Sequence, residues 1–84
     1  MTEFRKMPIS VCMLAKNEED RLIKSLPPLS IFEEVIVYDS GSTDKSINIC
    51  KKYDATVIQG EWRGFPETRK LLFSKASQPW IFWL

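Results

Sequence analysis

Histidine is absent from these 84 residues, cysteine occurs twice and glycine three times, and each shortage removes a class of function. With no histidine, and with Cys12 and Cys50 far apart in the chain, a tetrahedral zinc site has too few ligands. Both cysteines lie inside apolar runs, "ISVCML" and "INICKKY", so they are expected to be reduced and buried. A disulfide would need an oxidising compartment that nothing in the sequence indicates. No glycine follows the first apolar run, which exits into "LAKNEEDR". The G-x-G-x-x-G turn of dehydrogenases and the P-loop are therefore both missing, and any nucleotide at that edge must be held by side chains. Charge of one sign is lacking too: 12 basic and 11 acidic residues leave +1, too weak a field to draw nucleic acid or an anionic membrane. No apolar run approaches the ~18 residues of a membrane span. The opening "MTEFRKMPIS" has no signal-peptide core, so a cytoplasmic location is expected.

What is present is enough apolar surface to fold, 44% of residues against 27% charged, in a length that supplies one modest core and one domain at most. Four short runs, "ISVCML" (9–14), "VIVY" (35–38), "TVI" (56–58) and "WIFWL" (80–84), are apolar almost throughout and rich in β-branched residues. Runs of this kind read as strands covered on both faces, hence a parallel sheet. Between them lie three helical segments. "NEEDRLIKSL" has acids in its first turn, places Leu22, Ile23 and Leu26 on one face, and is stopped by Pro27 and Pro28. A second helix is expected to open at Ser42 or Thr43, with Asp44 in its first turn, and to bury Ile47, Cys50 and Tyr53. A third follows "GEWRGF", with Pro66 as its first residue and Leu72, Phe73 and Ala76 turned to the sheet. Trp62 and Phe65 read as core or as a lid, with core the expectation. The order β-α-β-α-β-α-β makes an α/β, nucleotide-binding type of half-domain with helices on both faces; only Met1 to Lys6 is expected to fray.

In such a sheet, ligands settle beyond the carboxyl ends of the strands. Asp39 stands at one of those ends, at the start of "DSGSTD", where a carboxylate can accept hydrogen bonds from a base or from ribose hydroxyls. Gly41 permits a positive φ, and Ser42 and Thr43 can cap the following helix. The expectation is a carboxylate projecting from the lip of the sheet into a nucleoside-shaped cleft. A purely local role for Asp39 and Asp44, closing the turn and complementing a helix dipole, fits the same residues.

The stretches "ISVCMLAKNEEDRLIKSL", "VIVYDSGSTDKS" and "GFPETRKLLFSKA" before "WIFWL" together resemble the start of the family 2 inverting glycosyltransferases with a GT-A fold, particularly the lipopolysaccharide inner-core branch. The likeness runs from Pro8 onward. It implies a Rossmann-like parallel sheet in the order 3-2-1-4, the nucleotide-binding half of a GT-A domain, with residues 1–84 forming a single partial domain. It also implies that Ala15, Lys16, Asn17 and Glu18 contact the nucleotide and that Asp39, in the turn with Gly41 and Ser42, binds the base, usually uracil. Arg69, near the start of the third helix, would face the nucleotide or its phosphates. Two departures stand out: Ser40 occupies the place of a frequent second acid, and Leu14, Ala15 and Lys16 stand where many relatives have Pro-Thr-Tyr.

In the resembling family an Asp-x-Asp motif follows the strand matching "WIFWL" and holds the Mg²⁺ or Mn²⁺ that neutralises the leaving diphosphate. Those ligands, the general base and the acceptor-binding half are expected beyond Leu84, so this stretch has no expected catalytic or metal residue of its own and is expected not to transfer sugar by itself. The partners implied are a UDP-sugar donor and, for the whole enzyme, a glycan or lipid-linked acceptor at the inner membrane face; no nucleic acid is implied. A bare apolar strand at 80–84 would invite self-association. Two other functions stay open: a non-catalytic α/β module that binds a protein through its sheet edge, and a nucleotidyltransferase-like nucleotide binder.

Overall fold

The computed structural model describes residues 6–84; of the expected frayed head only Lys6 is among them, exposed and outside any strand. The elements are β1 (Met7–Ala15), α1 (Glu19–Ser25), a 3₁₀ turn (Pro27–Ile31), β2 (Phe32–Asp39), α2 (Ser46–Lys52), β3 (Thr56–Gln59), α3 (Phe65–Lys75) and β4 (Trp80–Trp83). Every pairing is parallel, in the order β3-β2-β1-β4. The chain steps from β1 to β2 to β3 in one direction and then returns past β1 to β4. A constant crossover hand therefore requires α3 on the opposite face from α1 and α2.

The side chains bear this out. Val11, Met13, Ala15 and Val37 pack with Leu22, Leu26, Leu29, Ile49 and Cys50 in one core layer, while Cys12, Ile36 and Tyr38 pack with Leu72 in the other. Successive strand residues alternate between the layers, which is why β1 and β2 are apolar at nearly every position.

Several local expectations need correction. α2 starts at Ser46, later than Ser42 or Thr43, and buries Ser46, Ile49 and Cys50, leaving Ile47 half-buried and Tyr53 exposed. The residues expected to begin that helix are held instead by cross-loop hydrogen bonds described below. On α1, Leu22 and Leu26 are buried but Ile23 is exposed, because only a one-sided stripe of so short a helix meets the sheet. α3 buries Thr68 and Leu72, while Phe73 stays largely exposed and packs edge-on against Trp83 with centroids 6.2 Å apart. Trp62 and Phe65 are not in the core at all: they are 48% and 60% exposed.

The lower end of the sheet is tied by a partly buried polar knot around Ser10. Ser10 Oγ donates to Glu34 (2.7 Å), the Ser77 amide donates to the same carboxylate (2.9 Å), and the Gln78 amide donates to Ser10 Oγ (3.2 Å). Burial would push the Glu34 carboxyl up, but these hydrogen bonds outweigh it and hold the group below its ordinary value. The knot sets the approach of β4 to β1. Beyond it, Trp80, Ile81 and Phe82 are exposed, and no described strand pairs with the outer edge of β4.

Candidate functional site

The upper edge of the sheet carries Ala15 to Glu18 and Asp39 to Ser42. β1 ends at Ala15 and β2 at Asp39, and these two residues are register partners; the Ser40 amide then donates to the Ala15 carbonyl (3.2 Å). The two loops leave the sheet side by side.

Asn17 locks them together. It adopts a left-handed φ of 51°, which Asn tolerates better than most residues, and its side-chain oxygen accepts from the amides of Thr43 (2.6 Å) and Asp44 (3.2 Å). Its own amide donates to Ser42 Oγ (2.8 Å). A residue further on, the Glu18 amide donates to Ser46 Oγ (2.9 Å) and the Glu19 amide to Asp44 (3.3 Å). Asp44 in turn accepts from the Ser46 hydroxyl and amide, which with the Glu19 amide hold its carboxyl below the usual range. Glu18 pairs with Arg21, whose guanidinium also donates to the Leu14 carbonyl (2.8 Å). Asp44, Ser46 and Arg21 were not anticipated as members of this lattice. The available signal was the density of Ser, Thr and Asp in "DSGSTDKS", more hydrogen-bonding groups than one helix cap requires.

Asp39 requires the main correction. Its side chain does not project into an open cleft: the residue is 2% exposed and its carboxylate is turned onto its own loop. Oδ1 accepts from the Gly41 amide (3.0 Å) and the Ser42 amide (2.8 Å), and Oδ2 accepts from the Ser42 hydroxyl (2.5 Å). Gly41 makes the turn possible with φ 118°, a region closed to ordinary side chains. The inward direction follows from strand alternation, since Asp39 shares a face with Val35 and Val37, the face that α1 and α2 cover. Its charge adds to burial, the larger effect, in raising the Cys50 thiol. A carboxylate has about four acceptor positions. Three are filled here, so one on Oδ2 remains, beside a hydroxyl that can rotate.

Ala15, Asn17, Glu18, Asp39, Gly41 and Ser42 thus form one hydrogen-bonded lip, with Lys16 exposed on it. Arg69 is not part of that lattice. It stands on α3 with its guanidinium 5.1 Å above the Trp83 ring, an arrangement that holds the cation near the upper end of β4. The loop between β3 and α3 is pinned to β2: the Gly60 amide donates to the Asp39 carbonyl (3.1 Å) and Tyr38 Oη to the Glu61 carbonyl (2.5 Å). Trp62 and Phe65 follow at once, in a T-shaped pair 5.0 Å apart. Thr68 Oγ1, in the second turn of α3, is buried without a hydrogen-bond partner. No group of three or more His, Cys, Asp or Glu among the described residues is arranged to hold a metal ion. Of the acids of the lip, Asp39 and Asp44 are engaged by their own turns and Glu18 by Arg21, so a divalent ion of the kind the resemblance implies does not fit here.

A parallel sheet in the order 3-2-1-4 with alternating helices defines an α/β fold whose neighbours in structure are GT-A glycosyltransferases. The family model for glycosyl transferase family 2 matches residues 10–84, and the chain belongs to that family. It is 33% identical over 82 residues to the lipopolysaccharide core biosynthesis glycosyltransferase LpsC of Rhizobium meliloti, covering 92% of this chain and 30% of that protein. It is 34% identical over 74 residues to an uncharacterized glycosyltransferase of Rickettsia typhi, covering 87% of this chain and 25% of that one. Among solved structures, glucosyl-3-phosphoglycerate synthase of Mycobacterium tuberculosis, in complex with Mn²⁺, UDP and glucosyl-3-phosphoglycerate, superposes with a TM-score of 0.70 at 28% identity, over 95% of this chain and 33% of that one. Staphylococcus aureus TarS, at 23% identity and a TM-score of 0.72 over 93% of this chain and 27% of that one, shares the fold. The chain therefore spans between 25% and 33% of the length of each of these proteins.

Proposed function

We propose that this chain is the donor-binding part of a glycosyltransferase, that the donor is a UDP-sugar, and that the acceptor belongs to a lipopolysaccharide core or a related glycan. The observation that carries the reading is the cross-linked lip: Asn17 and Asp39 order two loops at the carboxyl ends of adjacent parallel strands, where such folds take their nucleotides. The choice of UDP is supported by the mycobacterial synthase, which was solved with it. The acceptor class is supported by the Rhizobium relative, a lipopolysaccharide core biosynthesis glycosyltransferase.

On this reading Asp39 acts in two ways. It fixes the backbone of residues 40–42, and the remaining position on Oδ2 takes one N–H of the base when the Ser42 hydroxyl rotates aside. Loop 15–18 meets the nucleotide through the exposed Lys16 side chain, and Arg69 balances the charge of the phosphates. A Mg²⁺ or Mn²⁺ ion beside the diphosphate would need carboxylates other than Asp39 and Asp44. These residues therefore bind donor without transferring sugar. The whole protein would work on the cytoplasmic side, reaching a lipid-linked acceptor at the membrane face; the absence of any helix long and apolar enough to cross a membrane among the described residues is compatible with that. The outer edge of β4 would pair with a second copy where nothing else covers it.

Titration with UDP, followed through amide chemical shifts, tests the reading. Shifts at Lys16, Asp39 and Arg69 are expected, with weaker responses to CTP and GTP. Silence at all three would favour an interaction module working through the β4 edge, and an equal response to the other nucleotides would favour a nucleotidyltransferase-like binder. Sugar transfer by this chain alone from a UDP-sugar with Mn²⁺ to a lipid-linked core acceptor would contradict the division of labour proposed.

A further inference from the structure

We infer that Trp62 and Phe65 form the surface on which the base of the nucleotide stacks, an inference that rests on the donor-binding reading above. The first ground is position. Residues 60 and 61 are bonded to the backbone of Asp39 and to the hydroxyl of Tyr38, so the next residue, Trp62, is held close to the end of β2 on a short tether. Gly60 is part of that tether, because an added Cβ would lie 2.5 Å from Tyr38 Oη; the close approach of this loop is built into the sequence.

The second ground is what the rest of the edge offers. The loop 16–18 presents Lys, Asn and Glu, and the loop 40–44 presents Ser, Gly, Ser, Thr and Asp. Those groups can hydrogen-bond the rim of a base or a ribose, but none offers a face for its π-system. Trp62 and Phe65 are the aromatics of the adjoining loop and helix start. They are roughly half exposed where large aromatics are usually buried, and they hold each other edge to face. In such a pair one ring presents only its edge to its partner, so both of its own faces stay clear of that partner.

The third ground is charge. Phe65 and Arg69 are four residues apart on α3 and therefore share a face, and Arg63, Arg69 and Lys70 outnumber Glu61 and Glu67 around the pair. An aromatic shelf with cations one helical turn away suits a ligand made of a flat base joined to anionic phosphates. Stacking of this kind tolerates any base, leaving discrimination to the hydrogen bonds of the lip.

The test compares UDP with ribose 5-phosphate, which lacks the base, on the wild-type chain, on Trp62→Ala/Phe65→Ala and on Trp62→Phe, with binding read by tryptophan fluorescence and by calorimetry. The double variant is expected to bind UDP about tenfold or more weakly, to bind ribose 5-phosphate as the wild type does, and so to lose its preference between them. Trp62→Phe keeps a ring and stays within about threefold of wild type. Because both side chains are exposed, the variants are expected to melt like the wild type; Trp62→Gln serves as the second variant if the double one unfolds, with the same loss expected. Wild-type affinity for UDP in the alanine or glutamine variant overturns the stacking role and leaves the donor site standing. A loss equal for UDP and ribose 5-phosphate assigns the pair to the sugar and also overturns it. A wild-type chain that binds no UDP overturns the donor-binding reading itself, and the inference with it.

Discussion

Substituting Gly60 by alanine should destabilise the protein, and removing one oxygen atom elsewhere should relieve most of the damage. A Cβ added at Gly60 would stand 2.5 Å from Tyr38 Oη, 3.3 Å from Cζ and 3.6 Å from Cε2. The first distance is impossible without movement, the second is tight, and the third is ordinary contact. Tyr38 is 1% exposed and packed with Cys12, Ile36 and Leu72, so its ring has little freedom to retreat. Overpacking of this kind costs about 1–3 kcal/mol. Forcing the hydroxyl aside also breaks its hydrogen bond to the Glu61 carbonyl, about 1 kcal/mol more. Tyr38→Phe alone should cost about 1 kcal/mol, since it loses that bond while the exposed Glu61 carbonyl turns to water. The double variant lacks the atom responsible for the worst contact and should lose only about 1–2 kcal/mol in total, less than Gly60→Ala by itself. Urea unfolding of the four proteins measures this directly, with midpoints compared at a common m-value. If the losses of the two single variants simply add in the double, the Gly60–Tyr38 contact is not what fixes the loop, and the tether assigned to Trp62 fails with it.

Asn17→Ala removes the acceptor of two backbone amides and puts an ordinary side chain at φ 51°. A loss of about 2 kcal/mol is expected, accompanied by faster hydrogen exchange at Thr43 and Asp44; unchanged exchange there would refute the lock. Glu34 has a folded-state pKa below its ordinary 4.5, so its contribution is fully present above that value and is lost as pH falls through the lower folded one. The stability gap between wild type and Glu34→Ala should therefore narrow on acidification below pH 4.5; a gap that widens would show the sign to be wrong. Burial, with a smaller push from Glu34, raises the Cys12 thiol to about 11, and Cys50 is raised as well. Neither should react with iodoacetamide at pH 8 in the folded protein, and both should react in urea; native labelling of Cys12 would contradict its place in the core.

The sheet was legible because its signal is redundant. "ISVCML" and "VIVY" are apolar at both odd and even positions, which only burial on two faces explains, and the three helical segments between strands then force parallel crossovers. Helix starts were less legible, because Asp44 and Ser46 can cap a helix locally or bond across to a neighbouring loop. The second use, with the amides of Glu18 and Glu19, depends on a partner 25 and more residues away. Trp62 and Phe65 were misplaced for a similar reason. Aromatic character suggests burial, but α3 presents Thr68 and Leu72 to the sheet layer that holds Tyr38, and Trp62 and Phe65 pack on each other instead.

Asp39 joins the two halves of the problem. Its place at a strand end was readable in the sequence, and its alternation with Val35 and Val37 carries the inward direction that the structure shows. On the donor-binding reading proposed above, a carboxylate that first orders its own turn and then offers one remaining acceptor would be better placed than a free one. The loop amides that position it would need no rearrangement on binding, and part of the ordering cost would be met in the unliganded fold. Such a group should also be hard to replace: Asp39→Asn can keep its oxygen on the Gly41 and Ser42 amides only by turning its N–H to the Ser42 hydroxyl, which must rotate its own proton away, and the charge that strengthens these bonds is gone. The loss should therefore appear in stability before any nucleotide is added, by about 1–3 kcal/mol in urea. An Asp39→Asn chain as stable as wild type but unable to bind UDP would mean that the carboxylate serves the ligand alone and that the turn holds itself.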